Sequence, residues 1–186
     1  SQPRLIRRRA VVTNSLSVRL AGLGDLNTIV ELRLALLREY HDHPLYMNLR
    51  DDASERAFEL YSAQLLSPHE AMFVAEFGGH IVGILRCVDT PSSPLLLPER
   101  YCYVSSVYVL PSARRKGALR ALLAAADEWC DYRGIEEMRL HNSAKSAVAA
   151  DAWTALGFEV VEQVRRRPLT STVPARARAH VAAESH

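Results

Sequence analysis

Residues 105–123 read SSVYVLPSARRKGALRALL, and three signals follow one another in that stretch. A β-branched and aromatic run comes first and stops at Pro111, a residue that cannot donate to a sheet ladder. A basic turn with Arg114, Arg115, Lys116 and Gly117 comes next, and Leu119, Leu122 and Leu123 then recur at helical spacing. A strand that enters a helix through such a turn gathers unsatisfied backbone N–H groups, the positive end of the helix dipole and several cationic side chains around one point. That point suits an anion, and Gly117 lets the main chain approach a phosphate closely.

Outward from this stretch, Tyr101 to Val109 reads as one long strand, and Asp89 to Arg100, with Pro91, Pro94 and Pro98, reads as a loop. Ala71 to Phe77 and His80 to Val88 are β-rich runs separated by Gly78-Gly79, the signal for a hairpin with a two-residue turn. Nearer the start, Ser17 to Leu20 reads as a short strand. Asp25 reads as the N-cap of a helix whose stripe is Leu26, Ile29, Val30, Leu34 and Leu37. That helix ends near Tyr40 in a polar loop closed by Pro44, and Ser54 with Glu55 opens a second helix through about Leu66.

Downstream, Leu119, Leu122, Leu123, Ala126, Trp129 and Cys130 predict one helical face that ends at Gly134. A strand over Ile135 to His141, a helix over Ser146 to Leu156 and a last strand from Phe158 to about Val164 complete the series. The order predicts an α/β (α+β) protein: one mixed sheet with helices on its faces, in a single domain over 15–167, with no internal repeat. A basic N-terminal arm over 1–14 and a flexible C-terminal tail over 168–186 flank it.

Composition is that of an ordinary globular protein, 48% hydrophobic and 24% charged over 186 residues, enough chain to bury a core without metal or disulfide staples. The formal charge is only +2, but Arg4, Arg7, Arg8 and Arg9 crowd one end and Arg165, Arg166, Arg167, Arg176 and Arg178 the other. These read as solvated charge runs, and the lack of interleaved aromatics argues against nucleic acid. Cys87, Cys102 and Cys130 are odd in number, lack C-x-x-C spacing and fall within predicted strands or helices, as small core residues of a reducing compartment do. Neither a signal-peptide core nor a membrane span is legible, so the expected location is cytoplasmic.

The stretch at 105–123 resembles the signature of the GNAT superfamily of N-acetyltransferases, R/Q-x-x-G-x-G/A. Arg114 is its first residue and Gly117 its first glycine, with Val107-Tyr108-Val109 as the family's V-x-V strand end and Pro111 just beyond. Leu156-Gly157-Phe158 matches the L-G-F after the family's last conserved helix, so the resemblance spans Ser17 to Val164. It implies a mostly antiparallel sheet splayed between two central strands, helices on both faces, and acetyl-CoA as cosubstrate. The main chain of Val107, Tyr108 and Val109 would pair with the pantetheine arm. The amides of Arg115, Lys116, Gly117, Ala118, Leu119 and Arg120 would cradle the pyrophosphate. An amine would then attack the thioester directly while a strand N–H stabilises the oxyanion, with neither a cysteine nucleophile nor a metal.

The chain departs from the family pattern at several places. Leu119 stands where Gly or Ala is usual, and its expected direction is into the core. Trp153 stands where many relatives have the Tyr that protonates the leaving thiolate; indole cannot do this, and packing on the pantetheine or in the core are the two readings. Ser146 replaces an Asn and offers one hydrogen bond. Tyr103 occupies the place of a strand carboxylate; sharing a face with Tyr101, Ser105 and Val107, it is either the acid for the thiolate or a packed strand tyrosine. His41, among Glu39, Tyr40, Asp42 and His43, is the candidate base, directly or through water, set against a solvated polar loop. His141 is a similar candidate, and His-x-His with one carboxylate is poor metal spacing.

The expected function is transfer of an acetyl group from acetyl-CoA to a primary amine of a small molecule. The alternatives are a non-catalytic acyl-CoA sensor and a protein or peptide N-acetyltransferase guided by the basic tails. Leu95-Leu96-Leu97 in the loop before the long strand either caps the acceptor pocket or contacts a second subunit of a homodimer.

Overall fold

Apolar residues alternate along the central strands of this chain, and that alternation sorts its core into two layers. The computed structural model describes residues 15–169. The 1–14 arm and nearly all of the tail from 168 lie outside the described residues, as do Arg176 and Arg178. The chain divides into two compact units, Ser1–Ser146 and Ala147–His186.

The first unit holds β1 (Leu16–Leu20), α1 (Leu26–Glu39), α2 (Ala53–Leu66), β2 (Glu70–Phe77), β3 (His80–Pro91), β4 (Arg100–Val109), α3 (Ala118–Arg133) and β5 (Met138–Leu140). Short 3-10 turns over Leu23–Asp25 and Pro111–Ala113 precede α1 and α3. The strands form one sheet in the order β1-β2-β3-β4-β5. Every pair is antiparallel except β4 with β5, so the sheet is the mixed, mostly antiparallel one the sequence implies. Gly78 and Gly79, both at positive φ, turn the β2–β3 hairpin as expected.

Met72, Val74, Ile84 and Tyr108 point to α1 and α2, where Ile29, Val30, Leu34 and Tyr61 meet them. The alternate positions, among them Phe73, Ala75, Leu85, Cys87, Cys102 and Val104, are buried toward the other side, where α3 brings Leu122, Leu123, Ala126 and Cys130. A Cβ added to Gly83 would stand 3.3 Å from Leu122, which shows how closely α3 lies on that face. Fully burying a side chain such as Ile84 or Leu122 stabilises the fold by about 1.5–3 kcal/mol. The three cysteines are free and buried, as the sequence predicts.

The structure corrects several boundaries. Thr90 and Pro91 remain in β3, opposite Tyr101 and Arg100, so the proline-rich loop is shorter than expected. The Asp89 side chain is 7% exposed and receives Arg100 and Arg133, which fixes that strand end. Asp25 does not cap α1 with its side chain; its carboxylate instead accepts the Gly22 N–H at 2.8 Å and both terminal nitrogens of Arg19. The strand expected over Ile135–His141 shrinks to three residues.

In the second unit, α4 (Ala147–Ala155) forms where expected, and Phe158 folds back so that its N–H reaches the Trp153 carbonyl at 3.0 Å. The strand expected through Val164 is absent: Val160, Val161 and Val164 are exposed and pair with no strand. A β-prone segment without a cross-strand partner has too little to offset its ordering entropy.

Candidate active site

β4 runs beside β3 along nearly its whole length, yet it touches β5 only at Cys102, Tyr103 and Val104. From Ser105 onward that edge has no neighbouring strand among the described residues, which is the parting the family resemblance implied. A bulge coincides with it. Ser106 takes φ 53°, and one extra β4 residue is accommodated between the pairs Ser105–Arg86 and Tyr108–Ile84.

The bulge resets the alternation. Tyr103 and Ser105 share the α1 face, but Tyr108 rather than Val107 resumes it, which corrects the expected set. Tyr108 is 5% exposed, and its hydroxyl donates to Glu39 Oε1 at 2.8 Å. Its main chain also turns inward: Leu110 N–H donates to the Val82 carbonyl at 2.8 Å, so by alternation Tyr108 bonds toward β3 while Val107 and Val109 face the gap. The Val109 carbonyl already accepts Arg114 Nε at 2.9 Å. Of the three residues expected to pair with an extended ligand, Val107 therefore offers both main-chain groups, Val109 its N–H, and Tyr108 neither.

The turn beyond β4 is shaped by two left-handed residues, Arg115 at φ 62° and Gly117 at φ 88°. Gly117 stands at the N-cap of α3, and the first helical bond from this turn is Ala121 N–H to the Gly117 carbonyl at 3.0 Å. Among the described residues, no protein acceptor meets the N–H groups of Arg115, Lys116, Gly117, Ala118, Leu119 and Arg120. Consecutive N–H groups in such a turn converge on a concavity that favours an anion.

Arg115, Lys116 and Arg120 are exposed and, among the described residues, form no ion pair; Lys116 lies over the Phe77 ring at 5.7 Å. Arg114 differs. Its guanidinium grips both oxygens of Glu39 at 2.8 and 2.9 Å and lies 5.5 Å from the Tyr108 ring centre, so its charge is balanced and its role is to set the turn. On α3 it is Ala118 that opens the buried face. Leu119, expected to point inward, is half-buried at the margin of that face.

Where β4 and β5 separate, the Tyr103 hydroxyl lies 2.9 Å from His141 Nδ1, with the two rings edge to face. Burial raises the Tyr103 pKa above the ordinary tyrosine value, and the Tyr46 phenol adds to this while Arg86 and Arg33 oppose it. The α1–α2 loop reaches the same end of the sheet, since Lys145 Nζ, just past β5, donates to the Asp42 carbonyl at 3.2 Å. In that loop Tyr40, His43 and Tyr46 form an aromatic cluster, His43 stacking on Tyr46 at 4.6 Å, whereas His41 is exposed.

Ser146 is half-buried immediately before α4. Trp153, in the second unit, makes an edge-to-face contact with Phe158 at 5.3 Å. Sequence reading missed Glu39 as partner of Arg114, and it missed Arg33, Tyr46 and Lys145. Helical spacing alone could have flagged Arg33, which falls on the same face of α1 as Ile29, Val30 and Leu37.

A separate concavity of about 520 Å³ lies at the C-terminal end of α3, but Asp127, Asp131, Glu136 and Glu137 line it, and that charge opposes a phosphate-bearing ligand. Among the described residues no cluster of His, Cys, Asp and Glu could hold a metal ion, and no helix is long and apolar enough to cross a membrane.

An open strand edge beside a basic, amide-rich helix start suits an extended, phosphate-bearing ligand. The family model described as the acetyltransferase (GNAT) family matches residues 31–158. The chain belongs to that family, and it is thereby an acetyl-CoA-dependent acetyltransferase. It is similar to an aminoglycoside N(6')-acetyltransferase type 1 of Klebsiella aerogenes, 29% identical over 113 residues that cover 60% of this chain and 74% of that protein. Among solved structures, AAC(6')-Iy in complex with the bisubstrate analogue CoA-S-monomethyl-acetylneamine superposes with TM-score 0.66 at 24% identity, over 84% of this chain and 99% of that one. A GCN5-related N-acetyltransferase from Ralstonia eutropha superposes with TM-score 0.67 at 20% identity, over 83% and 99%.

Proposed function

We propose that this chain acetylates a primary amine of a small molecule by direct attack on acetyl-CoA. The observation that carries the reading is the run of unpartnered amides from Arg115 to Arg120 beside the open edge of β4. These groups fit the donor: the amides and the free cations of Arg115, Lys116 and Arg120 suit its diphosphate, and the Val107 main chain with the Val109 N–H suits its pantetheine amides. Gly117 has open space where a side chain would stand, with only Leu16 Cδ2 at 3.9 Å. When bound, acetyl-CoA supplies an acetyl group activated as a thioester.

The chain's residues then hold and move protons. As the new C–N bond forms and the C–S bond breaks, Tyr103 gives its phenolic proton to the departing sulfur, and its contact with His141 Nδ1 orients the hydroxyl for this. A raised pKa suits Tyr103 to the role of acid rather than base. The proton released by the amine leaves through water, with the exposed His41 as its acceptor. Ser146 is assigned to the donor side, as a hydrogen-bond donor. The relatives that act on aminoglycosides support a small-molecule acceptor over a protein.

Isothermal titration of acetyl-CoA, run beside a thiol-release assay on a panel of amines, tests the reading. Binding accompanied by amine-dependent thiol release supports it; absence of binding at millimolar acetyl-CoA overturns it.

A further inference from the structure

Among the described residues, Arg33 is an arginine without an anion. It projects from α1 on the face that carries Ile29, Val30 and Leu37, and it is half-buried. Its Nε donates to the Tyr61 hydroxyl at 3.0 Å, and Tyr61 is itself buried in the core. Among the described residues Arg33 has no carboxylate partner, whereas Arg19, Arg86, Arg100, Arg114, Arg133 and Arg139 each have one. A guanidinium partly withdrawn from water and met by one neutral hydroxyl retains four N–H donors and a full charge, a costly arrangement unless a ligand completes it.

The surroundings specify that ligand. Glu70, Glu39 and Glu76, on this side of the sheet, are spent on Arg86, on Arg114 with Tyr108, and on Arg19. Glu70 neutralises Arg86, which also donates to Ser105, so among the described residues Arg33 is the cation of this group without a counter-charge. Tyr103, where β4 and β5 part, lies within electrostatic reach of Arg33, Arg86 and Tyr46. Tyr40 lies within reach of Arg33 as well. The loop after α1 adds the clustered rings of Tyr40, His43 and Tyr46 with Leu45 and Met47 exposed, and Lys145 ties this loop to the chain just past β5. A cation without a counter-charge near aromatic rings disfavours a polycation and suits a flat molecule with a negative end.

We propose that Arg33 receives a carboxylate of the acceptor, so that the acetylated amine belongs to a molecule that also carries a carboxylate and an aromatic or flat apolar body. This rests on the acetyltransferase reading above and names its substrate class. It sets the chain apart from enzymes that act on polycationic aminoglycosides.

The test is a thiol-release assay at saturating acetyl-CoA with matched probes. L-phenylalanine, L-tyrosine and L-tryptophan are compared with phenethylamine, tyramine and tryptamine, which differ only by loss of the carboxylate, and with neamine as a polycation. The expected result is a kcat/KM at least about tenfold higher for the carboxylate-bearing member of a pair. In Arg33→Gln that preference disappears through KM while the acetyl-CoA Kd is unchanged, and Arg33→Lys restores part of it. The comparison of wild-type substrates needs no variant, so it stands if Arg33→Gln fails to fold. Equal or better turnover of the decarboxylated amines or of neamine overturns the proposal, as does acetyl-CoA binding with no release on any carboxylate-bearing probe. Failure of acetyl-CoA to bind at all overturns instead the reading on which the proposal rests.

Discussion

The Tyr103 hydroxyl and His141 Nδ1 stand 2.9 Å apart, joining the last paired stretch of β4 to the chain just beyond β5. If the phenol protonates the departing sulfur, Tyr103→Phe lowers kcat by about 10²-fold or more and leaves the acetyl-CoA Kd unchanged. Burial raises the Tyr103 pKa, so the proton stays on the phenol through neutral pH and is lost only as pH rises past the ordinary tyrosine value of about 10. The rate should fall on that alkaline side in the wild type, and the fall should be missing from the residual activity of the variant. A pH series of kcat by thiol release checks both.

Gly117 sits at φ 88°, and a Cβ there would meet only Leu16 Cδ2 at 3.9 Å, an ordinary contact. The cost of Gly117→Ala is therefore one of backbone conformation, about 1–2 kcal/mol of stability. Relaxing that strain would turn the amides away from their common focus, so acetyl-CoA binding should weaken by about tenfold or more. Denaturant unfolding and calorimetric titration measure the two effects separately. Unchanged affinity in a destabilised variant would remove the turn from the binding site.

Glu39 serves two partners, and two substitutions separate them. Glu39→Gln keeps an oxygen acceptor for the buried Tyr108 hydroxyl and removes only the ion pair with Arg114, both of whose side chains are about 40% exposed; the expected loss is about 0–1 kcal/mol. Glu39→Ala strands that hydroxyl as well and should cost about 1–3 kcal/mol more. Urea unfolding of the two variants gives the difference directly.

The three cysteines should be silent toward thiol reagents in the folded protein. The Cys102 thiol is pushed up to about 12, because its contact with Cys87 and its burial outweigh the opposing hydrogen bond with Cys130. Cys130, hydrogen-bonded to Cys102 and buried, is also raised. At pH 8 an aromatic disulfide reagent should find no thiol among Cys87, Cys102 and Cys130 before unfolding and all three after it. Rapid labelling of the native protein would contradict this packing.

Much of the fold was legible because its signals are local. Gly78-Gly79 marked the β2–β3 hairpin, Gly134 ended α3, and the apolar stripe of α1 and the Ser54-Glu55 start of α2 placed both helices within a residue or two of their observed limits. The strand-to-helix turn was legible to the same depth: the run from Val107 to Arg120 ends a strand and begins a helix where its composition requires. Reading failed where a partner distant in sequence decides the outcome. Period-two alternation put Val107 with Tyr103, and a bulge at Ser106 put Tyr108 there instead. Phe158 to Val164 has strand propensity, yet propensity without a ladder partner left it irregular.

By itself, then, the sequence determined the order of elements from β1 through α4, the helices on the sheet's faces and the basic strand-to-helix turn, because periodicity, glycine placement and helix-terminal electrostatics act over a few residues. Only the tertiary structure decided that Arg114 would be neutralised by Glu39, that Tyr103 would meet His141, and that Arg33 would be left half-buried without a counter-charge. Those outcomes depend on side chains from separate elements arriving at one place, and Coulombic and hydrogen-bond energies at a few ångströms have no trace in linear spacing.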